Sequence, residues 1–210
     1  MILHGYYRSS ATYRVRIALA LKGMEAVQTY HHLGRGEHRS PDYLALNPQG
    51  RVPALETDTG EVLTQSLAII EWLEETCPSP ALLPGDGVQR AHIRAFSQVI
   101  ACDIQPLQNT GPLNRLRTLG ADEAAVTEWI RAAMRDGFSA CEALIARTGG
   151  VFCFGDTPTL ADVCLVPQLY NARRHSLDLT PFARLVAADA ACARLDAFRS
   201  AAPEAQPDAE

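Results

Sequence analysis

The chain has 210 residues, 47% of them hydrophobic, with a formal net charge of −5, which allows one large domain or two small ones around a proper core. No long basic stripe offsets the acidic balance, which argues against nucleic acid as a partner, and no apolar stretch approaches the roughly 20 residues that cross a bilayer. Six cysteines (Cys77, Cys102, Cys141, Cys153, Cys164, Cys192) are scattered through mostly apolar segments without ligand spacing, which argues against disulfides and zinc and reads most of them as small core residues.

The N-terminus lacks a basic region followed by an apolar core and a cleavage site, so a cytoplasmic location without membrane attachment is expected. Residues 1–6 are short and apolar and suit a buried strand. Val15, Ile17, Ala18 and Leu21 then recur at helical spacing up to Lys22-Gly23, a last turn with its C′ glycine. Val27-Gln28-Thr29-Tyr30 reads as a second strand and completes a βαβ unit. After a polar loop over residues 34–41, Tyr43 to Leu46 allows one or two helical turns, stopped before Pro48. Residues 52–56 and 62–64, joined by Asp58-Thr59-Gly60, carry a hairpin signature, and Ser66 opens a helix with Leu67, Ile70 and Leu73 on one face. The order β-α-β-α-β-β-α within the first 77 residues is that of a thioredoxin-like half.

Residues 79–87 turn to Pro, Gly and Ala and mark a linker, and beyond it strand signals stop. Helical spacing runs over residues 88–108 and 122–147, a Thr159-Leu160-Ala161-Asp162 capping box opens another helix, and a last helix is expected over 188–198. Residues 201–210, with two prolines and three acidic residues among them, read as disordered. The expected organisation is an α/β thioredoxin-like domain over residues 1–80 followed by an all-α domain over 87–210.

Three local features carry chemistry. Ser9 and Ser10 lie where the first strand becomes a helix, and a helix start offers unpaired N–H groups and about half a positive charge to an anion such as a thiolate. A serine there also serves as a simple N-cap, and both roles remain open. The chain has no Cys-x-x-Cys, so any sulfur used at this turn comes from a ligand. Val52-Pro53 stands at the entry to a strand, either as an edge proline or as a cis peptide that leaves the Val52 backbone free to pair with a peptide-like ligand. Gln65-Ser66 lies at a second helix start, suited to a carboxylate or to a cap.

Taken together, these pieces resemble the glutathione transferases over essentially the whole chain. The zeta-class hallmark appears as Ser9-Ser10-Ala11-Thr12-Tyr13-Arg14-Val15-Arg16-Ile17-Ala18-Leu19, its central segment as Asn47-Pro48-Gln49-Gly50-Arg51-Val52-Pro53, and its helix 4 motif as Ile104-Gln105-Pro106-Leu107-Gln108-Asn109. Leu177-Asp178-Leu179-Thr180-Pro181-Phe182 and the tail Gln206-Pro207-Asp208 are similar to the maleylacetoacetate and maleylpyruvate isomerases.

The resemblance implies the glutathione transferase fold, a homodimer, glutathione as cofactor and a small dianionic keto acid as substrate. The implied reaction is glutathione-dependent cis–trans isomerisation of maleylacetoacetate or maleylpyruvate to the fumaryl isomer. A transferase or dehalogenase is the alternative, and a non-catalytic interaction module a third. It further implies that Ser9, Ser10 and Arg8 form the catalytic group, with Ser9 bonded to the glutathione thiolate. Gln65 and Ser66 would hold its γ-glutamyl end and Val52, before Pro53, its cysteinyl backbone. His38, Gln49, Gln105 and Asn109 would line the remainder, and Arg8 and Arg174 would receive substrate carboxylates. The chain departs from the pattern at Ala11, where the hallmark usually has cysteine, and at Thr110 and Gly111, where the maleylpyruvate enzymes carry arginine.

Overall fold

A computed structural model describes residues 1–148 and 150–210 of the chain. They form two compact units, one of residues 1–81 with 194–210 and the other of residues 82–193.

The first unit is built on a four-stranded sheet in the order β2-β1-β3-β4, with β1 Ile2–Gly5, β2 Val27–Tyr30, β3 Ala54–Glu56 and β4 Val62–Thr64. β1 pairs parallel with β2 and antiparallel with β3, which pairs antiparallel with β4, in a register that sets Leu3 opposite Gln28 and Leu55, and Leu55 opposite Leu63. The helices of this part are α1 Ser10–Leu21, α2 Pro41–Leu46 and α3 Ser66–Thr76, so the expected β-α-β-α-β-β-α order holds.

α1 is buried from Thr12 to Leu19, including the guanidinium-bearing Arg14 and Arg16. It lies close to β1: a Cβ on Gly5 would stand 2.3 Å from Thr12 Cγ2, so only glycine fits. Its end matches expectation, with Gly23 in the left-handed region at φ 62°. Lys22, however, is buried, its ammonium donating to Glu74 Oε2 at 2.7 Å, Cys77 O at 2.6 Å and Pro80 O at 3.1 Å. These acceptors compensate the desolvation of the charge and tie α1 to the end of α3. On α3, Ile70 and Leu73 are buried as the spacing indicates, joined by Ile69 rather than by Leu67.

In the second unit, Asp86 caps α4, Gly87–Gln98, by accepting from Val88 N and Gln89 N. The helix expected to run on to residue 108 instead widens into a π-helical turn, Val99–Ile104, and tightens into a 3₁₀ turn, Gln105–Gln108. Pro106 has no N–H to continue the ladder. Gly137 of α6, Glu123–Leu144, lets the π turn sit close: a Cβ there would fall 2.2 Å from Ile104 Cγ1. α5, Thr110–Thr118, lies outside the helical stretches read from the sequence, and its Pro112 falls in the first turn, where proline is tolerated.

α7, Leu160–Arg174, opens with the expected capping box. The buried Asp162 carboxylate accepts from Thr159 N at 2.8 Å, Thr159 Oγ1 at 3.0 Å and Cys153 N at 2.9 Å. α8, Ala183–Cys192, belongs to this unit and α9, Asp196–Ala201, to the first, so the single helix expected over 188–198 is two, broken by extended backbone at Leu195. Cys141, Cys153, Cys164 and Cys192 are core residues, whereas Cys102 is exposed and Cys77 partly so.

The reading of residues 201–210 as disordered is corrected by the structure. Pro203 is buried in a short 3₁₀ turn, Pro203–Ala205, and Asp208 bonds to the backbone of Tyr7. Prolines limit the entropy that ordering removes, and the acidic groups meet donors of the first unit.

Replacing Gly137 by Ala should destabilise the protein by about 1–3 kcal/mol despite alanine's better helix propensity, because Ile104 must move. Urea unfolding measures it, and an unchanged midpoint would show that the Ile104 side chain does not pack tightly over Gly137.

Candidate active site

β1 ends at Gly5, and the next residues turn the chain into α1, with Ser9 N donating to Tyr6 O at 3.0 Å. Ser9 is the N-cap in extended conformation, its Oγ accepting from Thr12 N at 3.2 Å. The cap and the anion site are compatible. Oγ uses a lone pair toward Thr12 and keeps its own proton to donate to an anion in front of the helix. Ser10 is the first residue of the helix, half-buried, and Arg8 is exposed with its guanidinium 5.7 Å from the centre of the Tyr7 ring.

Val52-Pro53 is cis, which resolves the two sequence readings of that proline. Val52 lies outside the ladder that begins at Ala54, so its peptide groups are not committed to the sheet. The preceding loop is braced from the interior: Arg51 O accepts from Asn47 Nδ2 at 2.7 Å and from the Tyr43 hydroxyl at 2.6 Å, while Asn47 Oδ1 accepts from Gln49 N at 3.1 Å. The sequence presents Asn47 only as the start of the central segment and Tyr43 only as a helical residue, and assigns neither this bracing role.

Gln65 has φ 68° and ψ 114°, a conformation that costs a residue with a side chain roughly 1–3 kcal/mol. It stands as the N-cap of α3 without capping through its side chain, so the first N–H groups of that helix are left for something else. Its amide instead donates to Gln49 Oε1 at 2.7 Å, which brings those two predicted residues together. Ser66 begins α3 and is buried. His38 sits in the 3₁₀ turn Glu37–Arg39, its Nδ1 buried without a hydrogen-bond partner among the described residues. Burial, helped by Arg39, pushes this imidazole below its usual range and keeps it neutral at pH 7.

The remaining predicted residues lie in the second unit. Gln105 opens the 3₁₀ turn Gln105–Gln108, and Asn109 is the N-cap of α5 without a side-chain capping bond. Arg174, the last residue of α7, donates from Nη1 to Asn171 Oδ1 at 3.1 Å, and Asn171 donates in turn to Gln108 Oε1, which also accepts from Gln168 Nε2 at 3.1 Å. Gln168, Asn171 and Arg174 thus form a polar row along α7 at helical spacing, a row the sequence reading had reduced to its arginine. Among the described residues no group of three His, Cys, Asp or Glu is placed to hold a metal ion, and no helix is long and apolar enough to cross a membrane.

Residues 8–76 match the glutathione S-transferase N-terminal domain family, and residues 113–202 match the corresponding C-terminal domain family. The chain belongs to the glutathione S-transferase family. A maleylacetoacetate isomerase of Pseudomonas aeruginosa is 54% identical over 212 residues, covering 99% of this chain and 98% of the relative. The holo structure of a maleylpyruvate isomerase, described as a bacterial zeta-class glutathione S-transferase, superposes with a TM-score of 0.97 at 51% identity over the whole of both chains. A maleylacetoacetate isomerase of Anaeromyxobacter dehalogenans, crystallised with glutathione in its active site, is 44% identical with a TM-score of 0.90, covering 99% of this chain and 97% of that one. The thioredoxin-like first half and helical second half expected from the sequence are therefore those of a glutathione S-transferase.

Gln65→Gly should raise thermal stability by about 1 kcal/mol, because glycine adopts the left-handed conformation without strain. The same substitution should weaken glutathione binding in calorimetric titration, since the amide is gone. Unchanged affinity would remove Gln65 from the site.

Proposed function

We propose that this protein catalyses glutathione-dependent cis–trans isomerisation of a maleyl β-keto acid of the maleylacetoacetate or maleylpyruvate type, as a cytoplasmic homodimer. The observation that carries the reading is the joint presence in one unit of Ser9 as the cap of α1 and Gln65 in strained conformation at the open start of α3. Two helix starts then address one peptide ligand with a sulfur anion and a terminal carboxylate. The unpaired Nδ1 of His38 and the uncommitted peptide groups of Val52 fit the same ligand. The names of the relatives above support the reaction.

Bound glutathione supplies a thiolate whose reversible addition makes the conjugated C=C bond single and free to rotate. Ser9 donates its hydroxyl proton to that sulfur, and the N-terminal field of α1 adds to it, lowering a thiol pKa that is ordinarily near 8.5. The Gln65 amide, Ser66 and the open N–H groups of α3 hold the γ-glutamyl end, with Gln49 fixing the orientation of Gln65. Val52 pairs with the cysteinyl backbone, and His38, Gln105 and Asn109 line the rest of the tripeptide. Arg8 and Arg174 take the carboxylates of the substrate through charge-assisted bonds and offset the negative charge that develops on its carbonyl oxygen. Asn171, itself fixed by Gln108, restricts the swing of Arg174. Ala11 supplies no nucleophile at this turn, so the sulfur used there is the cofactor's.

Maleylacetone should be isomerised rapidly with glutathione in catalytic amount, whereas consumption of one glutathione per product would establish a conjugating transferase instead. Ser9→Ala should shift the rising limb of the pH–rate profile to higher pH and lower kcat/KM near neutrality about ten- to a hundredfold. Arg174→Ala should raise KM for the dianionic substrate roughly tenfold while leaving glutathione affinity nearly unchanged, and an equal loss of both would reassign it.

A further inference from the structure

The last residues of the chain return to the turn that carries Ser9. Tyr7 N donates to Asp208 Oδ2 at 2.9 Å, across 201 residues of sequence. The carbonyl of the same residue, Tyr7 O, accepts from Arg16 Nη2 at 2.8 Å, while Arg16 Nε donates to Ala201 O at 2.9 Å. Both polar groups of the Tyr7 backbone are thus fixed from outside the turn, two residues before Ser9. A further bond from Ser9 N to Tyr6 O at 3.0 Å carries that constraint to the serine. The tail is held independently of this contact. Gln206 Nε2 donates to Ser200 O at 2.8 Å and Ala202 O at 3.0 Å, and Glu210 pairs with Arg35 at 2.9 Å and His32 at 3.3 Å.

Asp208 is an expensive means of merely attaching a tail. Its second carboxylate oxygen, Oδ1, is buried without a hydrogen-bond partner among the described residues, so the group bears desolvation for the sake of one acceptor aimed at one amide. The charged or titratable groups that face it are Arg16 from α1, Tyr6 after β1, Tyr30 from β2, His32, Arg35 and Glu37 from the loop after β2, and Glu210 from the tail itself.

We propose that Asp208 is a positioning residue for the reaction, holding the Tyr7 peptide so that the Ser9 hydroxyl is aimed at the thiolate. This rests on the reading of Ser9 given above. A carboxylate acceptor on Tyr7 N and a guanidinium donor on Tyr7 O leave the turn one arrangement, whereas without Asp208 the Tyr7 amide is buried unpaired and the turn must shift to satisfy it.

The test measures pH–rate profiles with maleylacetone and glutathione for S9A, D208A, D208N and E210A, with thermal unfolding of each. S9A should move the rising limb to higher pH. D208A should move it in the same direction and lower kcat/KM near neutrality about tenfold, the scale of one lost charge-assisted hydrogen bond. D208N retains an acceptor oxygen and should stay within about twofold of the parent, and E210A, which loses only the outer ion pairs, should match it. Should D208A not fold, Asp208→Glu, which keeps the charge but displaces the acceptor, takes its place with the same expectation. A lowered unfolding temperature in D208A with an unmoved profile overturns the inference, as does an equal shift in E210A or D208N. An unmoved S9A profile overturns the reading of Ser9 and this inference with it, while a shift in S9A without one in D208A overturns the inference alone.

Discussion

A guanidinium buried inside α1 is the constraint around which the first unit is arranged. Arg16 is 6% exposed, and burial pushes its pKa down to about 10 although the Asp208 carboxylate acts in the opposite direction. A charge so placed must be met by acceptors. It meets Tyr7 O on the turn before α1 and Ala201 O at the end of α9, which are chain segments from opposite ends of the sequence. The Tyr13 hydroxyl, reaching Phe198 O at 3.4 Å, strengthens the same junction. The turn that presents Ser9 is therefore built from both termini, and the residues beyond 193 fold with the thioredoxin-like part for that reason.

The other parts of the proposed glutathione site follow a related logic, in which an interior polar group fixes a neighbouring stretch of backbone. Asn47 and Tyr43 converge on Arg51 O, bracing the approach to Val52 without occupying the Val52 peptide. Gln65 keeps a conformation that glycine would adopt at no cost, and retains a side chain able to reach a ligand. Strain and open hydrogen-bonding capacity thus coincide at the start of α3.

In the second unit the decisive feature is the interruption of regular helix over residues 99–108. A π turn followed by a 3₁₀ turn displaces Gln105 to Asn109 from the path of α4, and Gly137 supplies the space for it. Gln108 then accepts from both Gln168 and Asn171, so the row on α7 that ends in Arg174 has a fixed neighbour. Carboxylate recognition by an arginine depends on such support, because a long exposed side chain loses rotamer freedom on binding.

What the sequence by itself determined about this protein are features whose causes lie within a few residues. These include the strand and helix order of residues 1–77, the Ser9 cap, the left-handed glycine after α1 and the Thr159–Asp162 box. The motifs of Ser9, Val52-Pro53 and Gln65-Ser66 were legible for the same reason, since each is a local turn. Only the tertiary structure decided that Lys22 is a buried ion, that the helix after residue 98 breaks, and that the tail is ordered. The partners of these elements, Glu74, Gly137 and the turn at Tyr7, lie 33 to 201 residues away in the chain. Composition and periodicity describe a segment's own preferences, whereas a buried charge, a close backbone approach and a docked tail each depend on an acceptor, a gap or a donor that a distant segment supplies.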